Sequence, residues 1–194
     1  MIISFLISYL LGSIPFGKIV TKVLTGKDIT KTGSQNIGAT NVYRSVSKKA
    51  GLLVLILDGI KPMLALVLIS YFFNEYYQNF KFLYFFISIV GHVFPIWLMF
   101  RGGKGVASFF GGFLIISPIP TLISMAVWMV TVKITKISSL GALLSIFLLT
   151  SYQIVSNYGT LNKGTIFAIM LLIFWKHNEN IKRLIQGKEN KINL

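Results

Sequence analysis

Residues 51–73 read GLLVLILDGIKPMLALVLISYFF, a run of 23 positions whose only fixed charges are Asp58 and Lys61. As a helix this run extends about 34 Å, enough to cross roughly 30 Å of hydrocarbon. Further apolar runs occupy 1–16, 82–100, 106–116, 122–132, 137–155 and 165–175. With a hydrophobic share of 54% and a charged share of 12% over 194 residues, the chain has too little polar surface for a soluble domain. The expectation is an all-α integral membrane protein of about seven transmembrane helices, with residues 1–194 forming one membrane-embedded domain. The first run lacks the basic start and small-residue cleavage site of a signal peptide, and Lys18 and Lys22 follow it, so it reads as an uncleaved span. Cysteine is absent, which excludes disulfides, thiolate metal sites and a cysteine nucleophile. No internal repeat or low-complexity linker divides the sequence.

Charge placement orients the spans. The first 17 residues carry no Lys or Arg, whereas the connector from Lys18 to Lys49 carries seven, so the N-terminus is expected outside and that connector in the cytoplasm. Crossing twice returns Arg101 and Lys104 to the cytoplasmic side. A single span over 106–132 would put Lys133 and Lys136 on the wrong side, so Pro118 and Pro120 are read as the turn of a hairpin whose two arms form short fourth and fifth helices. The last pair of runs, joined near Asn157 to Lys163, then leaves the C-terminus cytoplasmic with Lys176, Lys182, Arg183, Lys188 and Lys191. The formal charge of +14 is explained by this bias together with attraction to anionic membrane lipids. Nucleic acid is not an expected partner, because the basic residues flank spans instead of forming a separate module.

Polar clusters between the runs carry the chemistry. The connector holds Ser34, Asn36, Thr40, Asn41 and Arg44, with Gly33 and Gly38 allowing close backbone approach, an inventory suited to an anion and also to an ordinary polar turn. Gly33 to Thr40 is nearly a nucleotide P-loop, but Ala39 stands where the phosphate-binding lysine belongs and no strand precedes it. Arg101, Gly102, Gly103, Lys104 and Gly105 precede the fourth run, where backbone N–H groups at a helix N-terminus can face an anion. Asp58 and Lys61 share a helix face at i, i+3, as an internal ion pair or as support for a polar loop, with Pro62 expected to interrupt their helix. His92 reads as a packed hydrogen-bonding residue. His177, Asn180 and Arg183 recur at i, i+3, i+6 past the last span and line one face of a short helix. Ser138 and Ser139 open the sixth run, where capping is the simpler reading and ligand contact the alternative. Two histidines and five dispersed acidic residues suggest no metal site and no cofactor.

Five stretches in order resemble the bacterial acyl-phosphate:glycerol-3-phosphate acyltransferases, the PlsY family. They are Gly12 to Gly17, Gly33 to Arg44, Gly91 to Pro95, Phe100 to Ala107, and His177 through Leu184. Two positions depart from the family pattern, with Gln35 and Pro62 standing where glycine is usual. The resemblance implies a multi-pass enzyme of the bacterial inner (plasma) membrane with its active site facing the cytoplasm. It also implies transfer of a fatty acyl chain from acyl phosphate to the sn-1 hydroxyl of glycerol 3-phosphate, the first acylation of phospholipid biosynthesis, giving lysophosphatidic acid and phosphate.

Under that resemblance Ser34, Arg44, Lys104, His177 and Asn180 are the expected catalytic set. Gly33, Asn36, Gly38, Thr40, Asn41, Lys61, Arg101, Gly102, Gly103, Ser139 and Arg183 are expected to bind substrate, with Asp58 and His92 supporting them from behind. His-x-x-x-x-Asp, used by other glycerolipid acyltransferases, is absent: the fifth residue after His92 is Trp97 and after His177 is Lys182. Direct attack on the acyl phosphate, with a substrate phosphate oxygen or His177 taking the proton, is therefore expected. The expected partners are glycerol 3-phosphate, acyl phosphate and membrane lipids, and the chain is expected to be a monomer. The rival class is an organic-phosphate transporter, which would bring internal repeats and midplane sites.

Overall fold

The computed structural model describes residues 1–156 and 158–192; Asn157, the first residue of the expected last connector, lies outside them. In chain order the helices are α1 (Ile2–Ser13), α2 (Phe16–Thr25), α3 (Ala39–Ser45), α4 (Lys48–Phe72), α5 (Asn74–Val93), α6 (Val106–Ile116), α7 (Pro118–Thr135), α8 (Ser138–Val155), α9 (Thr160–Lys176) and α10 (Asn178–Ile185). Among the described residues there is no strand. Every apolar run of the sequence overlaps a helix, although 82–100 continues past the end of α5 at Val93 and 1–16 is broken between α1 and α2; five segments are long and apolar enough to cross a membrane: Ile2–Thr25, Lys48–Phe72, Asn74–Leu98, Pro118–Thr135 and Ser138–Val155. The chain packs as two units, Met1–Gly112 and a second from Phe113 onward.

In the first unit α1, α4 and α5 pack mutually, with α2 and α3 against the start of α4. The packing is that of a bundle in lipid. α4 buries Val54, Asp58, Lys61, Ala65 and Ile69 along one stripe and exposes Leu52, Ile56, Ile60, Leu64 and Val67. Interior positions elsewhere are small or hydroxylated, including Ser4, Ser8, Ser88 and Ser108, because leucine gains nothing by leaving lipid for the interior while small side chains let backbones approach. Gly12 and Gly91 show this directly: a Cβ on either would enter the backbone of the facing helix, α5 or α1 respectively. In the second unit α7 packs on α8 and α8 on α9, and the Ser124 hydroxyl donates to the Ser145 carbonyl at 2.5 Å.

Two expectations are corrected. α7 runs 18 residues, about 27 Å, so the fifth helix is not short. Pro118 and Pro120 lie in its first turn instead of a loop, where a missing N–H breaks no helical bond. The fourth helix, α6, does have 11 residues, roughly 17 Å. Pro62 does not interrupt α4, which continues to Phe72. A proline at 62 deprives the Asp58 carbonyl, four residues earlier, of its helical donor. The Ser108 hydroxyl of α6, fully buried, donates to that carbonyl at 3.0 Å and replaces the lost bond.

Ser108→Ala is therefore expected to lower stability by about 1–3 kcal/mol, the cost of a buried unpaired carbonyl. In a Pro62→Ala background, where the helix supplies its own donor, the loss is expected to shrink toward zero; thermal unfolding in detergent of the two single variants and the double variant measures the coupling.

Candidate active site

The connector between α2 and α4 is built around one amide. Asn41, 2% exposed, accepts from the Ser34 N–H (3.0 Å) and the Ser45 hydroxyl (3.3 Å) through Oδ1, and donates from Nδ2 to the carbonyls of Thr32 (2.9 Å) and Asn36 (2.8 Å). Its side chain thus holds the loop in shape from within. Gly33 sits over it at φ +58, where a Cβ would strike both that amide and Ser45. Gln35 adopts φ +59, a left-handed turn that disfavours a side chain and that glycine takes without steric cost. Ser34 and Arg44 are exposed, the latter in the last turn of α3, while Asn36, Gly38 and Thr40 are half-buried. Beneath the loop Val20, Ile29, Ile37, Val42, Ala50 and Val54 form its apolar floor. Asp28 fixes the entry turn by accepting from the Thr30 amide and hydroxyl, and those bonds hold its carboxyl below the usual value.

Behind the glycine-rich loop lies a buried ionic cluster in the same unit. Lys61 Nζ meets Asp58 Oδ1 at 2.8 Å, the Ile14 carbonyl at 2.9 Å and His92 Nδ1 at 2.9 Å. An ion pair and two hydrogen bonds, all to groups of the scaffold, thus enclose the Lys61 nitrogen, and the residue is only 2% exposed. Because an ammonium can only donate, His92 Nδ1 accepts and its hydrogen resides on Nε2, the edge against which Gly103 is laid. The Gly103 N–H donates to the His92 carbonyl (3.1 Å) and the Gly102 N–H to the Val93 carbonyl (3.0 Å). These two amides, expected to face an anion, instead tie the loop to the end of α5. A Cβ at either position would collide with His92 or its carbonyl, which is the physical need for the two glycines. The first-turn N–H groups of α6 follow this loop, beside half-buried Lys104. Arg101 is exposed, after a reversal in which Met99 and Phe100 both take positive φ, 48° and 62°.

The second unit contributes a cluster around a residue that sequence reading missed. Glu189 accepts from Asn180 Nδ2 at 2.6 Å and the Ser139 hydroxyl at 2.9 Å through Oε1, and from Arg183 Nε at 2.7 Å through Oε2. Ser139 is thus a tether and not a cap: α8 has no side-chain cap bond. Gly187, at φ +67, turns the chain back after α10, and the Ile192 N–H reaches the Lys136 carbonyl at 2.7 Å. The available signal was one of only two acids, Glu179 and Glu189, in a tail otherwise basic. His177, 3% exposed, caps α10, and its Nδ1 donates to the Ile173 carbonyl at 2.8 Å. A neutral ring then carries its lone pair on Nε2, the form required of an acceptor or base. Among the described residues no three His, Asp or Glu side chains converge on a metal position.

The chain is thus an all-helical membrane bundle with a hydroxyl, amide and cation loop and a glycine-rich cationic loop in one unit, and a His, Asn and Arg helix in the other. The family model described as glycerol-3-phosphate acyltransferase matches residues 2–187. Curated relatives called glycerol-3-phosphate acyltransferase include those of Ehrlichia chaffeensis, 40% identical over 97% of this chain and 94% of theirs, and Pelagibacter ubique, 44% identical over 95% and 93%. The crystal structure of PlsY (YgiH), an integral membrane glycerol 3-phosphate acyltransferase, in its glycerol 3-phosphate form, is 31% identical with a TM-score of 0.89, covering 99% of this chain and 95% of that one. Its lysophosphatidic acid form gives a TM-score of 0.86. The chain belongs to the glycerol-3-phosphate acyltransferase family and is a multi-pass membrane protein.

Glu189 makes stability pH-dependent. Burial by itself raises its pKa, but the bonds from Asn180, Arg183 and Ser139 outweigh that and hold it below the usual 4.5. A depressed folded-state pKa contributes stability above the unfolded value that is lost as pH falls through the folded one. Glu189→Gln is expected to unfold at lower temperature than the wild type at pH 7, and the gap to narrow below about pH 4.5 as both carry neutral groups.

Proposed function

We infer that this chain transfers a fatty acyl group from acyl phosphate to the sn-1 hydroxyl of glycerol 3-phosphate. The match over nearly the whole chain to proteins described as glycerol-3-phosphate acyltransferases carries this reading, and the ligand forms of the similar crystal structure support its acceptor and product. Seven helices cross the membrane in the reading we favour, with the N-terminus outside and all three polar clusters at the cytoplasmic face of the bacterial inner membrane. Charge placement supports it: 16 of the 19 basic residues then lie inside.

The acceptor hydroxyl oxygen attacks the acyl carbon, the bond from that carbon to the phosphate oxygen breaks, and phosphate leaves with its electron pair. Two phosphorylated substrates bring several negative charges together, which demands cations. Arg44, Asn180 and Arg183 orient glycerol 3-phosphate, Glu189 holding the latter two in register. Ser34, Lys104 and the start of α6 hold the acyl phosphate and the charge that develops on its oxygens. The hydroxyl proton passes to His177 Nε2, whose lone pair the Nδ1 bond to Ile173 sets in place, or to a phosphate oxygen.

Purified protein in lipid, given glycerol 3-phosphate, is expected to form lysophosphatidic acid and phosphate with palmitoyl phosphate and not with palmitoyl-CoA. Product from the thioester alone would overturn the donor assignment, and uptake of glycerol 3-phosphate into proteoliposomes without any acylation would point to transport. Lys104→Ala is expected to lose most activity while remaining folded. His177→Ala is expected to lower kcat by about 10²–10⁴-fold if the ring is the base, whereas a raised KM with kcat retained would leave it a binding role only.

A further inference from the structure

Beside the entry to the connector, the first unit contains a cavity of about 450 Å³ lined by Lys18, Ile19, Lys22, Val23, Lys27 and Trp97 among others. None of the residues proposed for acyl transfer lines it. Its chemistry is divided in two. α2 turns Gly17, Val20 and Thr21 into the protein, and presents Lys18 and Lys22 as one i, i+4 row beside an exposed apolar row of Ile19 and Val23. Two like charges at that spacing disfavour the helix, so nothing in α2 itself calls for them. Lys27 brings a third ammonium from the following turn.

The carboxylate at the cavity does not neutralise them. Asp28 faces Lys18 at 3.7 Å with both side chains partly exposed, a weak pairing, and its Oδ1 is already engaged by Thr30. Lys22 gives one hydrogen to the Gly26 carbonyl at 3.0 Å. The apolar wall is equally unsuited to water: Val23 is 78% exposed and Trp97, whose Nε1 donates to the Ser13 hydroxyl at 2.9 Å, is 60% exposed. Tryptophan anchored by its polar edge with its ring outward is the pattern of a membrane–water interface.

A concave site with three ammonium groups on one side and an open apolar wall on the other fits an anionic amphiphile. We propose that this groove binds an anionic phospholipid of the surrounding bilayer, its phosphate among Lys18, Lys22 and Lys27 and its acyl chains along Ile19, Val23 and Trp97. The volume suits a headgroup and the first part of the chains, which continue along the exposed face of α2. The site rests on the chain's place in a membrane and not on the acyl-transfer reaction.

Trp97 reports directly on the groove once Trp128 and Trp175 are replaced by Phe. In nanodiscs, dibrominated phosphatidylglycerol is expected to quench Trp97 at a mole fraction at least about threefold below that needed of dibrominated phosphatidylcholine, with the preference weakening in high salt. Lys18→Gln, Lys22→Gln and Lys27→Gln together are expected to abolish that preference, and Lys22→Gln alone to reduce it. Lys188→Gln with Lys191→Gln, which removes tail charge from residues that do not line the groove, is expected to leave it intact. Equal quenching by the two lipids in the unsubstituted groove would overturn the site, as would a preference that survives the triple change or falls equally with the tail change. Relief of quenching by palmitoyl phosphate at substrate concentrations would make the groove a donor site and overturn the phospholipid assignment.

Discussion

A lysine ammonium in the interior of a membrane bundle is tolerable only when it is paired and hydrogen-bonded, and Lys61 meets that condition through groups of α4, α5 and the residue that ends α1. Asp58 supplies charge from the same helix, Ile14 a carbonyl from the end of α1, and His92 a ring nitrogen from the end of α5. Removing any one partner leaves a buried charge short of a contact, so the middle of α4 and the ends of α1 and α5 are fixed relative to one another around a single nitrogen. The glycine-rich loop inherits that order, because Gly102 and Gly103 bond the carbonyls of Val93 and His92 and lie on the His92 ring. The position of Lys104 and the first turn of α6 thus follows from a buried charge cluster packed behind the loop.

The second unit uses the opposite sign for the same purpose. Glu189 gathers Ser139, Asn180 and Arg183 from two helices and closes the tail over them. The carboxylate consumes part of the donor capacity of Asn180 and Arg183 but orients what remains, and a bond from His177 Nδ1 to its own helix does the same for the imidazole. In each unit the groups with exposed or half-buried side chains, Ser34, Arg44, Lys104 and Arg183, are backed by buried polar groups whose bonds are internal.

Pro62 and Ser108 illustrate how far the correspondence between local sequence and local structure can be displaced. Proline in a span reads as a break, and its missing donor is real, but the vacancy at the Asp58 carbonyl is filled by Ser108 of α6, which lies 50 residues further along the chain. In lipid a lost helical bond has no water to replace it, so either a neighbour donates or the helix bends. Pro118 and Pro120 mark the break between α6 and α7 from within the first turn of α7, where a missing N–H costs no helical bond.

Apolar run length and basic-residue placement made the helical class, the number of apolar segments and the grouping of polar motifs legible, because the cost of putting backbone and charge into hydrocarbon is local and additive along the chain. The same uniform apolarity hid which face of each helix points inward: lipid and protein interior are equally hydrophobic, so α4 shows no periodicity separating Leu52 and Ile56 from Val54 and Ala65. Division of the polar residues between ligand and scaffold was invisible for the same reason. Lys61 and Lys104, Gly103 and Gly105, Ser139 and Ser34 are alike in composition, and only long-range hydrogen bonds decide that Lys61, Gly103 and Ser139 hold the framework. Residue type and spacing along the chain determined the fold class and the polar inventory; tertiary contacts, which pair groups tens of residues apart, decided which of those groups hold the framework.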